Sequence, residues 1–290
     1  MLKDPDKPWD KMTLSFFYGM EVMAITAVPI NALNTFSLAG SLYHVKGMLP
    51  AAEFVYKGRF PGALGSNMKP NTVRNYLAGM SAHLSKETVR GSYKGIGLGV
   101  LNPMLQSALP PHHAELAFAG TMSVLEMAIA NPFDFRRVCR QANENHPWTF
   151  KAMYAGAGLN GMRQFGTWWG FSYSTRLLDG EIKKFGMDPN TYWALAGKAP
   201  FQSLFFTSLV YGLEALKNQV QREHARGGFM SFRQVCQAAL KTALHVGPAS
   251  LFPGMAPKIA GNAILAFGAA LVPKWVREHS MSPSPTPNGR

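Results

Sequence analysis

The stretch PFDFRRVCRQ, from Pro132 to Gln141, returns in related form as GLEALKNQVQ, from Gly212 to Gln221. Both segments fit the pattern [P/G]-x-[D/E]-x-x-[K/R]-x-x-x-Q. An acid and a base three residues apart share one face of a helix, and a proline inside an apolar helix bends the axis and frees a carbonyl. The recurrence of the whole pattern predicts an internal repeat with a helix at each copy.

A third copy, PINALNTFSL, keeps Pro29 but places Asn31 and Asn34 where the charges would be. Helix kinks are therefore expected at Pro29, Pro132 and Gly212. An aromatic-x-Gly tripeptide follows each copy: Tyr93-Lys94-Gly95, Tyr154-Ala155-Gly156 and Phe252-Pro253-Gly254.

With these motifs, the sequence resembles the mitochondrial carrier family over nearly its whole length. The resemblance implies an all-α membrane protein of the inner mitochondrial membrane, with six transmembrane helices in three pseudo-symmetric repeats. Six apolar stretches fit that expectation by length, and they are 12–38, 96–111, 114–143, 157–179, 191–222 and 254–277. A soluble helical bundle is the alternative fold.

The three repeats are predicted at 1–111, 112–190 and 191–280, followed by a disordered tail at 281–290. The first repeat carries an insertion at about 46–70, and the second has a shortened segment on the matrix side. The N-terminal sequence has no apolar signal region and no Arg/Ser-rich presequence, so we expect internal targeting information and no cleavable presequence.

The composition favours contact with anions. The 290 residues are 47% hydrophobic and only 16% charged, with a net charge of +13. This charge suits anionic lipid or anionic solutes. Nucleic-acid binding is not predicted, because the sequence has no Lys/Arg-rich stripe interleaved with aromatic residues. Two cysteines exclude a disulfide scaffold.

In the family, the acid and base positions of the three repeats form a ring of ion pairs that gates the matrix side. The resemblance implies that Asp134 pairs with Lys217. It also places Arg137 opposite Asn31 and Glu214 opposite Asn34, so two of the three pairs lose a charge. We recognise no second ring for the opposite side of the membrane.

The family binds its substrate about midway, through residues seven positions after the aromatic-x-Gly glycine. Those positions here are Asn102, Arg163 and Gly261, and Arg163-Gln164 resembles the Arg-Gln pair of carriers for carboxylates. A mid-membrane arginine either serves an anion or has an internal partner. The second possibility pairs Arg163 with Glu126 or Glu21, both of which are predicted to face the bundle interior.

The resemblance implies contact with membrane lipids, especially bound cardiolipin, and no cofactor or metal is expected. The candidate lipid-binding residues at the helix starts are Tyr93, Lys94, Gly95, Gly156 and Gly254. The Gly-x-x-x-Gly pairs at Gly95/Gly99 and Gly166/Gly170 predict close helix contacts.

No catalytic motif is present. The chain has no P-loop and no Gly-x-Ser-x-Gly, and His112-His113-x-Glu115 lacks further ligands at metal spacing. The sequence therefore predicts a non-enzyme with one of two functions. The first is a structural accessory subunit of a membrane complex, such as a respiratory-chain assembly, in contact with other membrane-protein subunits. The alternative is an active carrier that exchanges small carboxylates or keto acids.

Overall fold

All regular secondary structure in the part of the chain that the structure describes is helical. A computed structural model describes residues 8–43, 45–46, 48–59, 71–141, 149–228, 231, 233–237, 240–241, 252 and 254–280. No strand occurs in these ranges. The predicted tail at 281–290, and residues 60–70 of the predicted insertion, lie outside them.

Six long helical segments dominate the described ranges. Helix α1 is Pro8–Tyr43, and α3 (Met80–Ile96) continues through a π-helical turn (Gly97–Leu101) into α4 (Asn102–Ala108). Helix α5 (Pro111–Leu125) continues through a π-helical turn (Glu126–Ala130) into α6 (Asn131–Gln141). The remaining long helices are α8 (Ala157–Lys184), α9 (Tyr192–Ala225) and α10 (Met255–Ser280). The short elements are α2 (Met48–Tyr56), a 3₁₀ turn (Val73–Leu77) and α7 (Phe150–Met153).

Three of these segments are long and apolar enough to cross a membrane. They are Trp9–Tyr43, Pro111–Gln141 and Met255–Val276. The other three long segments, α3–α4, α8 and α9, are not among the candidate spans of the described residues. The helices continue through Pro29, Pro132 and Gly212. The π-helical turn at Glu126–Ala130 ends two residues before Pro132, whose missing N–H disrupts the regular hydrogen-bond ladder.

A left-handed glycine precedes α3, α8 and α10. Gly79, Gly156 and Gly254 have φ angles of 73°, 70° and 83°, which residues other than glycine rarely adopt. The prediction that Gly95 is the first-repeat counterpart of Gly156 and Gly254 is therefore wrong, because Gly79 occupies that position. Gly95 lies well inside α3.

Glycines bring α1 and α3 into contact. A Cβ added at Gly91 would overlap the carbonyl oxygen of Gly19, and one added at Gly95 would overlap that of Ser15. Helices α8 and α9 approach similarly, since a Cβ at Gly170 would lie 2.8 Å from Cβ of Phe206. Small residues thus set the helix spacing, as the Gly-x-x-x-Gly pattern predicts.

The segment predicted as a loop insertion at 46–70 contains a helix. Helix α2 buries Ala51 and Val55 in one cluster with Ala39 of α1. The sequence also predicts a short, separate amphipathic helix near 71–90, but the helix that begins at Met80 is continuous with the next predicted span. Within this continuous helix, Gly91 and Gly95 let α3 pass directly against α1.

Candidate functional site: a buried network of charges

A narrow central cavity of about 70 Å³ lies among the six long helices, and each of them contributes to its wall. Lys86 and Arg163 line it at equivalent places, each seven residues after a left-handed glycine. The third equivalent position, Gly261, packs toward Leu33 instead. The prediction that Arg163 lies on the central cavity thus agrees with the structure, and so does the placement of Gln164 beside it.

Asp134 is the hub at one end of the cavity. The predicted ion pair between Asp134 and Lys217 is present, and both side chains are buried. The same carboxylate also contacts Lys86 at 3.2 Å and Arg137 at 2.9 Å. One acid on α6 therefore holds cations from α3, α6 and α9.

Glu214 is the second hub. Its carboxylate lies 2.8 Å from Arg163, 3.4 Å from Lys258 and 3.7 Å from Lys217. The prediction that Glu214 contacts Asn34 directly is wrong. Lys258 lies between the two side chains and donates a hydrogen bond to Asn34 at 3.1 Å. Arg163 is paired internally, but with Glu214 rather than with Glu126 or Glu21.

Glu126 and Glu87 extend the network along α3. Glu126 accepts from Arg90 at 2.7 Å and contacts Lys94 at 2.8 Å. Glu87 contacts Arg90 at 2.8 Å and Lys86 at 3.0 Å. Because Lys86 also reaches Asp134, the charges form one continuous chain rather than three separate pairs.

Helix α1 joins this network through neutral side chains only. Arg137 was predicted opposite Asn31, but it bonds Asp134 and, at 3.1 Å, Gln141. Asn31 instead donates to the carbonyls of Tyr76 and Ala78 and accepts from Gln141 at 3.2 Å. Without a charge at position 31, the guanidinium finds its acid on its own helix.

The network has more bases than acids. Among the described residues it joins seven cations to four carboxylates, namely Lys86, Arg90, Lys94, Arg137, Arg163, Lys217 and Lys258 against Glu87, Glu126, Asp134 and Glu214. The excess of three positive charges gives the cavity a positive potential, which attracts anions.

An apolar layer lies between the cavity and a second pocket, which α4, α5 and α8 line, and Phe171 beside this layer borders both pockets. The layer is the buried cluster of Leu98, Phe118, Ala119, Met122, Trp168 and Ala269. Along α5 the order is Glu115 in the second pocket, then Phe118 and Met122, then Glu126 in the network.

Helices α3–α4 and α8 show the same order of cavity, apolar layer and second pocket. Lys94 is followed by Leu98 and Asn102, and Arg163 by Trp168 and Arg176. The layer therefore joins α5, α8 and α10 to the π-helical turn that follows α3.

Two of the predicted substrate contacts, Asn102 and Gly261, do not line the central cavity. Asn102 lines the second pocket, beyond the apolar layer from Arg163, because the position count began at Gly95 instead of Gly79. Gly261 is buried but does not line the cavity, whereas its neighbour Asn262 does.

The predicted lipid-binding residues lie in different surroundings. Lys94 and Gly95 are buried inside a helix, and Lys94 stacks over Trp168 at 5.2 Å, so they offer no free helix start to a phosphate. Gly156 borders a groove of about 310 Å³ that Lys151 also lines. Gly254 precedes α10 and packs against α1, since a Cβ added at Gly254 would lie 2.5 Å from the carbonyl oxygen of Ser37.

Sequence reasoning missed Lys86, Glu87, Arg90 and Lys258 as members of the site. A signal for the first three was present, since residues 83, 86, 87, 90 and 94 recur at three- and four-residue intervals and are all polar or charged. That period marks one face of a helix. A charged face on a helix packed among apolar ones belongs in an interior network.

Comparison with models of protein families finds no match to this chain, and comparison with curated proteins finds none either.

Proposed function

We propose that the chain is a divergent member of the mitochondrial carrier family, with six spans in the inner mitochondrial membrane. In this proposal it has lost solute exchange and serves as a structural accessory subunit of a membrane complex, such as a respiratory-chain assembly. The proposal on family and topology is supported by the three left-handed glycines at helix starts and by the Asp134–Lys217 ion pair at the predicted repeat register.

The observation that carries the loss of exchange is the apolar layer. Alternating access requires a cavity that opens to each side in turn. Here the charge network lies at one end of the cavity, and Leu98, Phe118 and Trp168 fill the interior toward the other. Opening that end would expose a buried aromatic cluster to water, which disfavours the open state.

The network adds a second barrier. In the family pattern, three separate ion pairs break when the gate opens. Here Asp134 and Glu214 each hold three cations, and separating the helices would strand several buried charges at once. A ligand shifts such an equilibrium only by its differential affinity for the two states, and moving it from 1:99 to 99:1 takes about 5.5 kcal/mol.

Carboxylate or keto-acid exchange is the second candidate, and the excess of positive charge around Arg163 and Lys86 is the observation that favours it. An arginine can hold a carboxylate with two parallel hydrogen bonds. Arg163 Nε makes no hydrogen bond within the described residues, although the side chain is only 11% exposed.

Two measurements on the full chain decide between these functions. Purified protein in liposomes is tested for exchange of labelled di- and tricarboxylates, and the native membrane is extracted in mild detergent and examined for the size of the particle that contains the chain. The structural proposal expects no exchange and migration in a large complex. Exchange that Arg163→Ala abolishes, with the chain migrating alone, would establish the carrier instead.

Cardiolipin remains a proposed lipid ligand at the groove beside Gly156. The neighbouring Lys151 supplies a cation near the helix start, where free N–H groups attract phosphate.

A further inference from the structure

Helix α1 carries one acidic side chain on a face that no other part of the described chain covers. Glu21 is the only Asp, Glu, Lys or Arg between Lys11 and Lys46. It was predicted to face the bundle interior, but it is exposed, and it makes no hydrogen bond or ion pair within the described residues. The residues around it on that face are Phe17, Ile25 and Val28, which are 60%, 66% and 54% exposed. We call these four residues the α1 outer face.

The other faces of α1 are occupied. Gly19 meets Gly91 and Gly95 of α3, and Val22 meets Gly268 of α10. The interior side turns Met23 and Ile30 toward the central cavity. Within the described residues, the polar side chain near the Glu21 carboxylate is Tyr18, one turn earlier on α1, and no lysine or arginine pairs with it.

Glu21 also lies at mid-depth of a membrane-crossing segment. Helix α1 belongs to the three that are long and apolar enough to span a membrane. Trp9, 76% exposed, marks one interface, and Glu21 comes twelve residues later, about 18 Å along the axis at 1.5 Å per residue. The hydrocarbon core is about 30 Å thick. The neighbouring contact to Gly268 falls at the middle of α10.

An ionisable side chain at that depth is costly against lipid and calls for a partner. Hydrocarbon chains offer no hydrogen-bond donor. A second copy of this chain, docked by two-fold symmetry through the same face, would bring one Glu21 toward the other, and like charges repel. A basic side chain on a different protein satisfies the carboxylate, and apolar neighbours on that protein cover Phe17, Ile25 and Val28.

We propose that the α1 outer face is the docking surface for a transmembrane helix of another protein that presents a lysine or arginine to Glu21. This inference rests on the proposed structural function, and it specifies which face of the chain enters the complex and what chemistry its partner has.

The test uses the full chain in its native membrane. A photo-cross-linking residue replaces Ile25 in one variant and Leu204, a 51% exposed residue of α9, in the control. The Ile25 variant is expected to couple to a peptide from another protein's apolar segment that contains a lysine or arginine, and the Leu204 variant is expected not to couple to that peptide.

Charge substitutions test the role of Glu21 itself. Glu21→Lys should lower the fraction of chain found in the complex at least about tenfold through like-charge repulsion, and exchange of the partner's basic residue for glutamate should restore it. Glu21→Leu should also reduce that fraction. Both variants should unfold in detergent at the wild-type temperature, because Glu21 has no described internal partner to lose.

Three outcomes would overturn the inference. The first is an intact complex in which the photo-cross-linking residue at position 25 couples only to lipid or to a second copy of the chain. The second is a Glu21→Lys variant that migrates in the complex to the same extent as wild type. Both outcomes leave the structural function standing. A wild-type chain that migrates alone would overturn both proposals.

Discussion

Replacing Asp134 with alanine removes the one acid that Lys86, Arg137 and Lys217 share. Lys86 keeps its 3.0 Å contact with Glu87, and Lys217 keeps Glu214 at 3.7 Å. The loss is therefore comparable to breaking one buried ion pair, which costs about 3–5 kcal/mol. Each kcal/mol lowers the unfolding temperature of a large domain by about 2–4 °C, so Asp134→Ala should lower it by roughly 10 °C.

Thermal unfolding of the detergent-purified chain measures this effect. Glu181→Ala is the matched control, since Glu181 pairs with Lys184 on the surface, where the two side chains are 60% and 70% exposed. Such a pair contributes at most about 1 kcal/mol. The double variant Asp134→Asn with Lys217→Met should recover part of the loss, because it leaves less uncompensated charge.

An unfolding temperature of Asp134→Ala within about 2 °C of wild type, the shift expected for less than 1 kcal/mol, would refute the reasoning. It would mean that the network stores little of the stability of the bundle and that its cations are solvated.

Two further substitutions test the packing. Gly91→Leu should separate α1 from α3 and lower the unfolding temperature more than Gly180→Leu does, since a Cβ at Gly180 meets nothing within 4 Å; equal effects would contradict the close crossing. A Leu265→Cys variant in a cysteine-free background should resist a membrane-impermeant thiol reagent added on the side of the second pocket, because the apolar layer lies between that pocket and the cavity. Adding Trp168→Ala should cost about 3–5 kcal/mol and make the thiol reactive, and rapid labelling without Trp168→Ala would show that the layer does not seal.

The positions of the helices followed from the sequence better than their register did. Apolar length placed the long helices to within a few residues at most ends, as at 157–179 against Ala157–Lys184. The start of α3 was missed because Tyr93-Lys94-Gly95 matches the aromatic-x-Gly pattern by letters. What distinguishes Gly79 is its positive φ, a backbone property that the tripeptide alone does not encode.

The candidate site was predictable in part. Asp134, Lys217 and Arg163 stood out because a recurring motif fixed their positions. Lys86 and Lys258 belong to no motif, and their roles depend on which carboxylate the folded chain brings within reach. Glu21 was misplaced because an apolar helix with a single acid does not reveal from composition which side its neighbours cover.

The unequal polarity of the six long helices bears on how the chain enters a membrane. Each of the three apolar segments packs against a more polar one: α1 against α3, α5 against α8, and α10 against α9. A segment that carries Lys86, Arg90 and Lys94 gains little from entering lipid by itself. In the proposed six-span topology, insertion therefore proceeds by pairs, with an apolar helix leading and its polar neighbour following once carboxylates such as Glu126 are within reach.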